Sequence, residues 1–130
     1  MPVWLVGTSR GTESAAYAAT YLAGHDGPDG LVLTSTILTD TKEFSVPVLE
    51  LDRLRIPVLV VHHVQDGCSH CAYADVPKLM DKLVNVPKKK LLAVQGGVSQ
   101  GDPCEAFAYH GFNGIEPEVV KKVAAWMLAK

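Results

Sequence analysis

The chain predicts an α/β fold: a mainly parallel sheet of about four strands with helices on both faces. Three observations carry this. Short Val/Leu-rich runs alternate with longer segments of helical pattern, the runs read as strands covered on both sides, and Gly or Pro punctuates the joins. Such alternation builds β-α-β units with right-handed crossovers. The 130 residues fit one domain, 1–130, with no internal repeat, low-complexity segment or linker.

Val3–Val6 is the first apolar run, and its composition suits a strand buried on both faces. Thr12–Ala23 is dense in alanine, the best helix former, and small residues nearly all round predict close packing on the sheet. Gly24 and Gly27-Pro28 end it. Leu31–Thr34 reads as the second strand, and Thr39–Arg55 as loop with a short helix near Val48–Leu54. Pro57–His63 is the third strand, with proline at its tolerated first position. Tyr73–Val86 places Val76, Leu79, Met80 and Leu83 at helical spacing. Leu91–Val94 is the fourth strand, led in by Lys88-Lys89-Lys90, which reads as a solvated segment. A long loop covers Gly96–Gly114, and Glu116-Pro117-Glu118 opens a last helix to about Leu128.

Composition narrows the function. With 48% hydrophobic and 20% charged residues, disorder, collagen and coiled coil are excluded. A formal net charge of −2 lacks the basic footprint of nucleic-acid binding. No apolar run reaches the ~18 residues of a membrane span. Met1–Gly7 has no basic region or cleavage site of a secretory leader, and the chain begins on a strand as though entered partway through a larger protein. Localisation stays open.

Gly7-Thr8-Ser9-Arg10-Gly11 is G-x-S-x-G between an expected strand and an expected helix. A tight turn there holds a serine in a strained backbone with its Oγ exposed, and the flanking glycines let the chain segments approach. The following helix N-terminus favours negative charge, and the Arg10 N–H is placed to donate to an oxyanion. The competing reading of Ser9 is a plain helix N-cap. Gly7–Thr12 as a phosphate-binding turn is a further alternative, though it lacks P-loop and dinucleotide endings.

With these residues the sequence resembles the C-terminal half of the α/β-hydrolase family, over nearly the whole chain. Val3–Gly11, His62–Cys71 and Pro103–Glu116 are similar to bacterial, often exported, esterases of that family. The resemblance implies a triad in the order Ser, Asp, His: Ser9 as nucleophile, Asp66 in Val64–Gly67, and His110 just before the last helix. Asp102 is the fallback acid, and Asp66 read blandly is a turn residue before Gly67. It implies hydrolysis of small carboxylic esters with short acyl chains, no cofactor, and no nucleic-acid or membrane partner. If Asp66 meets His110, the loops carrying Cys68 and Cys104 are neighbours. Cys68–Cys104 is then the expected disulfide and Cys71–Cys104 its alternative.

The chain departs from the family in lacking counterparts of its first four strands and of the loop that supplies a second oxyanion donor. Loss of one donor costs about 10²–10³ in rate. The Val3–Val6 strand then becomes an open edge, and homo-oligomerisation through it is expected. The alternative function is a weak or inactive remnant that self-associates there. Among the other histidines, His25 and His70 are expected at the surface, and His62 and His63 as hydrogen-bonded structural residues. Zinc on Cys68, His70 and Cys71 with His62 or His63 is a weaker alternative; no metal is expected.

Overall fold

The computed structural model describes residues 1–24, 26–40 and 44–129. It is an α/β fold with an all-parallel sheet of four strands in the order β1-β2-β3-β4. The strands are β1 (Trp4–Thr8), β2 (Gly30–Thr34), β3 (Val58–His63) and β4 (Lys89–Val94). Three α-helices, α1 (Arg10–Tyr21), α2 (Val76–Lys82) and α3 (Glu116–Leu128), cover the two faces. Because every strand runs the same way, Thr8 pairs with Thr34 and His63 with Val94 at one end of the sheet. Ser9, Ser35 and the loops after β3 and β4 therefore leave the sheet at that end, where open α/β sheets carry their sites.

Strand alternation divides the core. Leu31, Leu33, Val58 and Val60 face one side and pack with Ala16 and Ala19 of α1 and Val76 and Leu79 of α2. Val32, Leu59, Val61 and Val94 face the other and pack with Phe112 and Val119 of the loop and α3. Trp4 meets Trp126 edge-on at 5.7 Å, tying β1 to the end of α3.

Several boundaries differ from the sequence expectation, each for a local reason. β1 extends into the motif as far as Thr8, and α1 starts directly at Arg10. β1 is not buried on both faces. Among the described residues it has a neighbour on one side only, as expected of an open edge, but its face is also open, with Val3 and Val6 59% and 55% exposed. An apolar groove of about 400 Å³ runs beside it, lined in part by Val6, Phe112, Val120, Val123 and Met127. α1 is small only toward the sheet, since Tyr17 and Tyr21 stack on its exposed side, ring centroids 6.0 Å apart.

The region expected as a short helix near Val48–Leu54 forms two 3-10 turns, Val46–Val48 and Leu51–Arg53. The helix expected over Tyr73–Val86 becomes a 3-10 turn, Tyr73–Asp75, followed by the shorter α2. α2 ends at Lys82, where Leu83 leaves helical geometry at ψ 53° and Lys89 Nζ donates to the Met80 and Leu83 carbonyls. The lysine run is accordingly more than a solvated lead-in. Lys89 and Lys90 lie inside β4, and Lys88 Nζ sits 4.8 Å from the Trp126 ring centroid.

Candidate active site

Ser9 sits at the strand-to-helix turn with φ 55° and ψ −120°, a conformation that costs about 1–3 kcal/mol in a residue with a Cβ. Local bonds hold it there. Ser9 N–H donates to the Thr34 carbonyl at 2.9 Å, and the Ser9 carbonyl accepts from Thr12 N–H at 2.9 Å and Thr12 Oγ1 at 2.6 Å. Thr12 Oγ1 in turn accepts from Ile37 N–H at 3.1 Å. Thr8 and Thr34 hydroxyls bond each other at 2.7 Å across the strand ends.

The two motif glycines are not equivalent. A Cβ on Gly7 would stand 2.4 Å from the Gly11 carbonyl oxygen and 2.9 Å from Ala15 Cβ, so only glycine fits. A Cβ on Gly11 would meet nothing within 4 Å, so the expected steric need at the second glycine is corrected. Its helical position aims the Cβ direction into open space.

The Ser9 side chain makes no helix-capping bond. Its Oγ lies 2.9 Å from His110 Nε2, and His110 Nδ1 lies 2.8 Å from Asp66 Oδ2. A carboxylate accepts, so the imidazole donates through Nδ1–H and leaves Nε2 to accept from the serine hydroxyl. Asp66 and His110 are buried while Ser9 is half-buried, which leaves the hydroxyl at the surface of a dry relay. Asp66 Oδ1 accepts from Cys68 N–H at 2.9 Å. Asp102, the fallback acid, is exposed and accepts from Cys104 N–H at 2.8 Å instead.

His110 is carried on a 3-10 turn, Tyr109–Gly111, inside the long loop. Its backbone is fixed by Ser35, whose hydroxyl donates to the His110 carbonyl at 2.6 Å. Ser35 follows β2 with φ 49° and is fully buried. No sequence signal marks it beyond its place just past a strand end. Cys68 and Cys104 form a disulfide between the acid loop and the histidine loop, Cα–Cα 4.6 Å.

Arg10 opens α1, so its N–H is among those a helix leaves without an intrahelical acceptor. Its guanidinium bonds Asp40, and also Glu13 at 3.2 Å. These two, Asp40 first, raise its pKa above the ordinary arginine value. A phosphate at Gly7–Thr12 would find Arg10 already shared between two carboxylates and Thr12 turned back on the Ser9 carbonyl.

His62 and His63 are both buried and bonded, as expected of structural histidines. His63 donates through Nε2 to the Gly96 carbonyl at 2.8 Å, accepts from Gln65 N–H at 3.0 Å, and stacks on Tyr109 at 4.4 Å. His62 donates to the Cys71 carbonyl at 2.6 Å, and burial pushes its pKa below the ordinary histidine value. His70 is half-buried rather than solvent-facing, because its Nδ1 donates to the Thr39 carbonyl at 2.9 Å. His25 lies outside the described residues.

Donor atoms of Cys68, Cys71 and His110 fall within 4.8 Å of one another, the arrangement closest to a metal set among the described residues. The Cys68 sulfur is spent in the disulfide and both His110 nitrogens are engaged, so the set offers no free thiolate and imidazole pair. Burial drives the remaining thiol, Cys71, up to about 12. No protein-family model matches the chain, and no curated protein matches it.

Proposed function

We propose that this chain is a serine hydrolase of the α/β-hydrolase type, cleaving carboxylic esters with short acyl chains. The observation that supports it is the unbroken relay from Ser9 Oγ through His110 to Asp66, at 2.9 and 2.8 Å. In this reading Ser9 Oγ attacks the ester carbonyl while His110 Nε2 takes its proton. The tetrahedral oxyanion is met by the Arg10 N–H. His110 then returns the proton to the departing alcohol, and Asp66 stabilises the imidazolium between the two steps. Water, deprotonated by the same imidazole, releases the acid from Ser9. Activated esters, which need least help from the oxyanion site, are the substrates this reading favours.

A fluorophosphonate probe tests this. Covalent labelling mapped to Ser9, and abolished in both Ser9→Ala and His110→Ala, is the expected outcome. A folded protein that takes up no label points instead to a hydrolase-like chain without competent chemistry.

The partner in this reading is a second copy. Among the described residues β1 presents an unpaired backbone edge with Val3 and Val6 exposed, beside an apolar groove, and such an edge recruits another strand. Light scattering at micromolar concentration is expected to give a dimer or larger species, and Val6→Lys to shift it toward monomer. A monomeric wild type removes the association.

A further inference from the structure

Behind the relay lies a ring of buried contacts that the proton transfers themselves do not use. Asp66 Oδ2 faces His62 Nε2 at 3.6 Å. His62 Nε2–H donates to the Cys71 carbonyl at 2.6 Å, and the Cys71 thiol donates to the Ser35 carbonyl at 3.6 Å. The Ser35 hydroxyl donates to the His110 carbonyl at 2.6 Å, and His110 Nδ1–H returns to Asp66 Oδ2 at 2.8 Å. All five residues are buried.

The Cys71 carbonyl can only accept, so it fixes the proton of His62 on Nε2, the atom facing Asp66. His62 Nδ1 is buried and has no hydrogen-bond partner among the described residues. A protonated ring would leave that second N–H unmatched, and burial already disfavours the cation. His62 thus sets a neutral imidazole beside the carboxylate, its Nε2 3.6 Å from Oδ2 and its N–H given to the Cys71 carbonyl. A neutral ring anchored at that distance walls Oδ2 without taking over its charge, which leaves that charge for His110. Cys68 N–H holds the other oxygen, so both ends of the carboxylate are fixed.

We infer that His62 is a positioning residue for the acid: its Nε2–H, held on the Cys71 carbonyl, sets how Asp66 meets His110. The catalytic consequence rests on the ester-hydrolase reading; the structural one does not. A near-isosteric pair separates donor from bulk, because Gln and Met have similar length and only Gln carries an amide donor near the Nε2 position. The first readout is the low-field proton signal of His110 Nδ1–H. It is expected in the wild type and H62Q, and expected to move upfield or broaden away in H62M. The second is ester turnover: kcat falls about 10–100-fold in H62M with KM nearly unchanged, and H62Q recovers most of the loss.

An H62M protein that keeps both the signal and kcat overturns the assignment. So does an H62Q protein as impaired as H62M, which would make His62 mere packing. Should H62M not fold, His62→Asn, whose shorter amide does not reach the Cys71 carbonyl, is read in the same way. A wild type that hydrolyses no ester sinks the functional reading alone, and the proton signal still decides the role of His62.

Discussion

The nucleophile and the acid–histidine pair are held by opposite means. Ser9 is fixed by its own neighbourhood: a tight turn, Gly7 against Gly11, and Thr12 bonded back to the Ser9 carbonyl. Asp66 and His110, 44 positions apart, are held by a disulfide and by side chains from the ends of β2 and β3. A local device tolerates distant changes, whereas a long-range frame fails when any one strut is cut.

The heaviest cut is the disulfide. It closes a separation of 36 residues, so Cys104→Ser is expected to lower stability by about 3–4 kcal/mol in urea unfolding. Ester turnover should fall with it, because the acid loop is released from the histidine loop. A loss well under 1 kcal/mol would mean that packing alone holds the two loops, and the contrast with the elbow would go.

The elbow itself is tested by its two glycines. Gly7→Ala forces a Cβ to 2.4 Å from the Gly11 carbonyl oxygen, a clash with backbone that costs about 1–3 kcal/mol. Gly11→Ala meets open space in a helix and is expected to gain up to about 1 kcal/mol. Thermal unfolding of the two variants should therefore move in opposite directions. Equal destabilisation would show that the turn needs both residues.

The smallest effect is a pH slope in the frame. Burial lowers the pKa of His62 from its ordinary 6.5. Between that value and the lower folded one, the unfolded chain binds more protons, so stability falls as pH drops below 6.5. One such group contributes at most about 1.4 kcal/mol per pH unit. His62→Gln should flatten the acid side of the stability curve by part of that amount. An identical slope in both proteins would mean that burial does not keep the imidazole neutral.

The same contrast explains what was legible in the sequence. The elbow is a contiguous pentapeptide whose steric logic is local, and the order Ser9, Asp66, His110 was implied by the resemblance to α/β-hydrolases once strands and loops were placed. The parallel α/β layout was legible because each strand is a compact apolar run. His62 as a partner of Asp66, and Ser35 as a partner of His110, were not. Their contacts depend on the register that brings the ends of β2 and β3 together, and no spacing along the chain encodes it. That β1 is an open edge was legible, whereas the exposure of Val6 was not, since an apolar run does not reveal whether a helix covers the face it presents. Gly11 was over-read because the motif suggests a symmetry that the helix geometry breaks.

Cys71 carries one more consequence. Three cysteines allow three pairings, and in an unfolded chain each thiol competes for the others. Folding withdraws one competitor by sealing it where its sulfur stays protonated, up to about 12. Any chain that has mispaired through Cys71 is thereby shut out of the native interior, so the fold acts as proofreader of its own cross-link.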